Sequence, residues 1–184
     1  MDNELQIEFQ SLVSKAHSTL RKFAESGSFI RVFSIIELPS FDSPYAWSIY
    51  SPQSYVKDRP PFAHFSIWRK DIDSVKFNSP VERLKYPSII TPTIMHDSIN
   101  LSAEWLKTVK DDLSEIKISI FNNDSNIIGL DGTSYEFYYS RPYYSCNIKW
   151  WENNPENWKP FTKYISTILE YLDDLRINKI EKNE

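Results

Sequence analysis

Glycine is almost missing from this chain: Gly27, Gly129 and Gly132 are the only three among 184 residues. Phosphate-cradling loops need glycines set a few residues apart, so neither a GxxxxGK[ST] loop nor a GxGxxG turn can be written here. Kinase, P-loop and dinucleotide-binding chemistries fall with them. Cysteine is scarcer still. Cys146 stands alone, which rules out an internal disulfide and the small secreted scaffolds that depend on one. No apolar run approaches the roughly 20 residues needed to span a bilayer. The N-terminal MDNELQIEFQ lacks the basic-then-apolar order of a signal peptide. A cytoplasmic protein without membrane contact is expected. Histidine is also sparse, and His17, His64 and His96 are far apart in sequence. Without closely set ligands no metal site is expected, and no cofactor motif is present. The pair His96–Asp97 reads more naturally as the start of a helix than as two ligands.

What the chain has in quantity is aromatic side chains: six Trp, eleven Tyr and eleven Phe. They bury large areas and supply ample material for a core, so extended disorder is excluded. The length fits one domain over residues 1–184. A net charge of −4 argues against a nucleic-acid partner, whose binders are usually strongly basic. The charge is uneven. Residues 57–85 hold seven Lys/Arg against four Asp/Glu, whereas residues 96–136 hold three against eight. That acidic stretch is either a solvated face or an interaction surface.

Hydrophobic spacing organises the rest. Leu5, Phe9, Leu12, Ala16, Leu20 and Phe23 recur at three and four, predicting an N-terminal helix closed by Gly27. Strands are expected at 29–38, 45–50 and about 63–70, separated by proline-bearing turns. From Asp71 to Met95 the pattern weakens; a short strand near Ser74–Phe77 within a long irregular excursion is the reading there. A helix then begins near Asp97–Ser98, with Leu101, Trp105, Val109, Leu113 and Ile116 on one stripe. Asp131–Gly132 suits a type I′ hairpin turn and predicts a three-stranded meander from about Asn126 to Trp150. Phe161, Ile165, Ile168, Leu172 and Leu175 mark a closing helix. Strands cluster in hairpins without βαβ alternation. The expected fold is therefore α+β, an antiparallel sheet of five to six strands with three helices on one face.

Alternation places His64, Ser66 and Trp68 on one face of the third strand, where Glu136 is a possible orienting carboxylate. No strained nucleophile elbow surrounds Ser66, so a satisfied half-buried histidine is the plainer account. Cys146 alternates with Tyr144 and Ile148 and reads as a buried, inert thiol. The carboxylate pairs Asp111–Asp112–Glu115, Asp173–Asp174 and Asp71–Asp73 read as solvated surface, because helical neighbours do not face each other across a cleft. Tyr138, Tyr139, Tyr143 and Tyr144 flank Arg141, a composition found at protein-binding hot spots. One alternating set, Tyr135, Phe137 and Tyr139, is expected to pack under the helices.

The stretch LDGTSYEFYYS followed by NIKWWENNPENWKPFTKYISTILEYL, within residues 127–175, resembles the C-terminal part of small bacterial proteins. The shared features are a DGTxYE hairpin, a strand ending in tryptophan, a proline-bearing link and a final amphipathic helix. Such proteins are often acidic, cytoplasmic and non-catalytic, like the immunity proteins of toxin systems. The resemblance implies a binding protein that neutralises a toxin or effector by direct contact, and it carries over no site residue. Asp111, Asp112, Glu115 and Asp124 are then candidates to meet a basic partner, with Tyr138, Arg141 and Tyr143 as further contact residues. Two other readings stand beside it: an enzyme with an unfamiliar site at His64, Ser66 and Glu136, and a structural or small-ligand module of a larger assembly that uses the 71–95 excursion.

Overall fold

The computed structural model describes residues 3–22, 27–56, 59–79, 81, 91–118, 132–141, 144–152 and 155–182. Among them the chain runs α1 (Asn3–Leu20), β1 (Phe29–Pro39), β2 (Tyr45–Pro52), β3 (Phe62–Trp68), α2 (Lys70–Asn78) and β4 (Ile94–Asn100). It continues with α3 (Ala103–Glu115), β5 (Thr133–Arg141), β6 (Tyr144–Trp151), a 3-10 turn (Glu156–Trp158) and α4 (Lys159–Glu181). The six strands form one antiparallel sheet in the order β4-β3-β2-β1-β5-β6. The α+β class and the antiparallel sheet are those the sequence predicts.

The layering differs from expectation. Ile35, Trp47, Phe65 and Phe137 pack in one core with Leu106 and Val109 of α3 and Phe161, Ile165 and Leu172 of α4. The alternate residues Ile36, Ala46 and Trp68 form a second core with Leu12, Ala16 and Leu20 of α1. The N-terminal helix therefore covers the face opposite α3 and α4, and the helices do not share one face. The cause is legible in β1, where Val32 through Ile36 is an unbroken buried run. A central strand that is apolar on both faces needs cover on both.

Two local expectations are corrected. Residues 74–77 are not a strand but lie inside α2. The segment around Asp97 does not begin a helix either: it is β4, paired along its whole length with β3. The helix starts at Ala103, capped by Ser102, whose hydroxyl accepts from the Trp105 amide. The strand expected before Gly132 lies outside the described residues. Gly132 itself has φ +147°, and a Cβ there would sit 3.0 Å from the Trp151 ring, so only glycine fits. Cys146, expected to be buried, is exposed on the outer strand β6.

Asp73 corrects the solvated reading of its carboxylate pair. It is completely buried. Burial alone would raise its pKa, but hydrogen bonds from Thr93 and Trp68 and the charge of Lys76 hold it below the ordinary value. Trp68 Nε1 donates to Oδ2 at 2.8 Å, the Thr93 amide to Oδ2 at 2.7 Å and the Thr93 hydroxyl to Oδ1 at 2.6 Å. The carboxylate thus ties α2 to the end of β3 and the start of β4. Asp73→Ala leaves these donors buried without an acceptor, so it should cost about 3 kcal/mol, read as a lower urea midpoint.

Candidate functional site

Strand register sorts the candidate residues by face. On the α1 side, the pairs Ser34↔Ser48↔His64↔Ser98 and Ile36↔Ala46↔Ser66↔His96 run straight across β1 to β4. His64 Nδ1 lies 3.0 Å from Ser98 Oγ, and Ser66 Oγ lies 2.9 Å from His96 Nδ1. The two imidazoles stack at 5.2 Å between centroids. In the sequence the histidines look isolated, because nothing local marks β4 as the strand that brings His96 beside His64. Ser66 is therefore the partner of His96, not of His64.

Glu136 shares this face but stands three strand spacings from Ser66, roughly 14 Å at about 4.8 Å each. It is committed elsewhere. Arg21 donates to both carboxylate oxygens at 2.8 and 2.6 Å, Lys149 donates at 2.9 Å, and the Tyr138 hydroxyl donates to Oε2. Burial would raise this carboxyl, but those three partners hold it down at about 2. Asp97, next to His96 in sequence, points to the other face and pairs with Lys179 of α4 at 2.6 Å. Among the described residues no carboxylate is hydrogen-bonded to either imidazole, so the third group of a triad is not in place. His64 is held below its ordinary pKa by burial and by the neighbouring His96. The arrangement supplies cross-strand hydroxyl–imidazole pairs that satisfy one another.

The residues expected to contact a partner fall in two places. Asp111, Asp112 and Glu115 are exposed on α3, and none enters an ion pair among the described residues. Tyr164 of α4 donates its hydroxyl to Asp112 at 2.6 Å. Trp105 of α3 stacks on Tyr171 of α4 at 4.7 Å and 17°. The outer surface of α3 is thus an acidic ridge beside an aromatic seam. Tyr138 lies on the α1 face with Glu136, so the sheet separates it from that ridge. Arg141 ends β5 opposite Tyr144, while Asp124 and Tyr143 lie outside the described residues.

A further pair of carboxylates escaped the sequence reading. Glu37 of β1 and Asp173 of α4 both lie on the α3–α4 side, near enough for the Asp173 charge to act on Glu37; Tyr45 donates to Glu37 at 2.7 Å and Trp47 Nε1 to Asp173 at 3.2 Å. Glu37 is raised by burial and by the Asp173, Asp42 and Glu152 charges, against the Tyr45 hydrogen bond. Asp173 is raised by burial and Asp174. Both acids are thus held above the ordinary carboxylate value. Among the described residues no group of three or more His, Cys, Asp or Glu is placed to hold a metal ion, and no helix is long and apolar enough to cross a membrane. Compared with known proteins, the chain matches no family model, no curated protein and no solved structure.

Opposite pH signatures follow for the two kinds of acid. Glu136 is depressed in the folded state, so its stabilisation is full above the unfolded value near 4.3 and is lost as pH falls toward about 2. Glu136→Gln should cost on the order of 2–3 kcal/mol at pH 7, a deficit that shrinks on acid titration followed by urea unfolding. Glu37 is raised, so the folded protein is most favoured below the ordinary carboxylate range and loses stability as pH climbs through the folded value. Glu37→Gln, which keeps an acceptor for Tyr45, should raise the melting temperature at pH 7 and give no gain at pH 3.5.

Proposed function

We propose that this chain is a non-enzymatic binding protein of the immunity type, which neutralises a basic toxin or effector by covering it with the outer surface of α3. The observation that carries the reading is where α3 places its acids. A helix favours cations near its C-terminus, where the peptide dipoles leave partial negative charge. α3 has no basic residue in its last turn and instead bears Asp111, Asp112 and Glu115 along its second half. Asp111 and Glu115 are also like charges at i, i+4, a spacing that typically costs a few tenths of a kcal/mol. Lys107, four residues before Asp111, offsets that one charge locally, but Asp112 and Glu115 have no cation at three or four positions among the described residues, so local stability does not account for them. A partner of opposite charge does, since it speeds encounter and fixes orientation. The aromatic seam of Trp105, Tyr164 and Tyr171 supplies the apolar contact that such an interface centres on.

Stability and binding should therefore move in opposite directions. Glu115→Lys places a cation at the C-terminus of α3 and an i, i+4 partner beside Asp111, so the variant should melt slightly higher than the wild type. Asp111→Asn combined with Glu115→Lys should weaken the complex with the stoichiometric partner purified from the native cells at least tenfold, and should flatten its salt dependence. A complex unaffected by these changes, or recovery of the chain without any partner under several growth conditions, removes this reading.

A further inference from the structure

Beneath the cavity-side flank of α3, away from the acidic ridge, lies an opening of about 270 Å³ between that helix and the β5–β6 hairpin. Its floor is the α3–α4 face of the sheet, with Phe33, Phe137 and Ile148, and its upper wall is Leu113 and Ile116. Well-packed interiors contain few voids larger than a water molecule. This one is open to solvent along the side where Tyr144 and Cys146 are exposed, and an apolar space of about 150 Å³ is already enough to admit benzene. Polar groups occur in the lining as Lys110 and Ser114, the tyrosine pair Tyr139–Tyr144 (ring centroids 5.8 Å apart) and the Cys146 thiol.

Among the described residues Lys110 is the one charged residue in that lining. Its helical neighbours at three and four positions are Leu106, Lys107, Leu113 and Ser114, so no acid of its own helix lies beside it. No carboxylate pairs with it among the described residues either. At about 100° per residue, Asp111 and Glu115 point well round the helix from Lys110. Among the described residues the site therefore combines an apolar body with one cation that has no ion-pair partner.

We propose that this cavity is a binding site for a small amphipathic anion, a medium-chain or aryl monocarboxylate of about ten to twelve non-hydrogen atoms. Its apolar part fills the space over Phe33 and Phe137, and its carboxylate meets the Lys110 ammonium, with the Tyr139 and Tyr144 hydroxyls nearby. Cys146 lies in the wall as a built-in reporter: a ligand in place shields the thiol. The assignment does not depend on whether the outer face of α3 binds a protein.

The test is calorimetric titration of the purified full chain with decanoate, and with decanol as the uncharged control, alongside the rate of Cys146 modification by a thiol-reactive dye. The expected result is saturable one-to-one decanoate binding, a slowing of thiol modification at least fivefold at saturation, and weaker binding of decanol. Lys110→Met keeps the apolar stem and should lose decanoate affinity about tenfold while leaving decanol unchanged. Ile148→Trp should abolish both by filling the floor. Should that variant fail to fold, protection of Cys146 in the wild type decides the same point. Absence of saturable decanoate binding, binding without protection of Cys146, or equal decanoate affinity in the wild type and Lys110→Met overturns the proposal.

Discussion

A buried carboxylate sets the geometry on which the rest of this fold is assembled. Glu136 is 3% exposed in the fifth strand and faces a helix whose packing surface is built mainly of Leu12, Ala16 and Leu20, with His17 edge-on to Trp68. Such a charge is tolerable only when its lone pairs are filled. Arg21 fills two of them just past the last turn of α1, and Lys149 and Tyr138 fill the others from β6 and β5. The requirement fixes how far α1 runs along the sheet and where it must end. It also fixes register: a slip of β5 by one residue would turn Glu136 into the opposite core beside Phe33 and Ile35 of β1 and strand both cations. The same cluster explains His17, which burial and the nearby Arg21 hold below its ordinary pKa despite the compensating pull of Glu136.

How much of this was legible in the sequence depends on what carries each element. α1 and α4 are long enough for their three–four spacing to stand out, and Leu12, Ala16, Leu20, Phe161, Ile165 and Leu172 are buried as that spacing requires. β1 to β3 are rich in branched and aromatic residues and were legible to within a few positions. α2 and β4 were not, for different reasons. α2 has nine residues, and one of its two buried positions is the aspartate Asp73, so hydrophobic spacing reports nothing there. β4 is an edge strand in which only Ile99 is buried. Its His96 and Ser98 lie opposite Ser66 and His64 of β3, and the sequence HDS looks like a helix cap when those partners are out of sight. The division of helices between the two faces was also hidden, because a run such as Val32–Ile36 reports that both faces are covered but not by which helix. The acidic ridge of α3 was legible from charge counting alone, whereas the Glu37–Asp173 pair joins residues that no local pattern connects.

Misreading β4 mattered most for the question of chemistry. With β4 in place, the face that offered a serine, a histidine and a distant glutamate becomes a ladder of cross-strand pairs. Ser34 donates to Ser48, His64 meets Ser98, and Ser66 meets His96. Each polar group near the sheet edge is answered by the residue opposite it, which is how a sheet keeps hydroxyls and imidazoles where α1 does not supply apolar cover. A nucleophile instead needs a base that is itself oriented by a third group. Among the described residues Glu136 is taken by Arg21 and Lys149, and Asp97 by Lys179. The polar content of this face is thereby explained by folding.

α3 presents the reverse case, a helix whose inner surface agrees with the fold while its outer surface opposes local preference. Leu106 and Val109 are buried where the core needs them, and Ser102 caps the start. Successive residues then diverge by about 100° around the axis, which gives the helix distinct flanks. Trp105 and Asp112 meet α4, Lys110 and Ser114 border the cavity, and Asp111 and Glu115 face outward. Sequences that specify a fold tend to satisfy every level at once, and departures gather where something other than folding is being served. Glu136 departs from the apolar rule but is repaid within the chain by its own cations. Asp111 and Glu115 depart from the dipole rule and have no ion-pair partner among the described residues. That difference separates a buried charge that organises the protein from exposed charges that, under the binding role proposed above, meet their counterpart on another molecule.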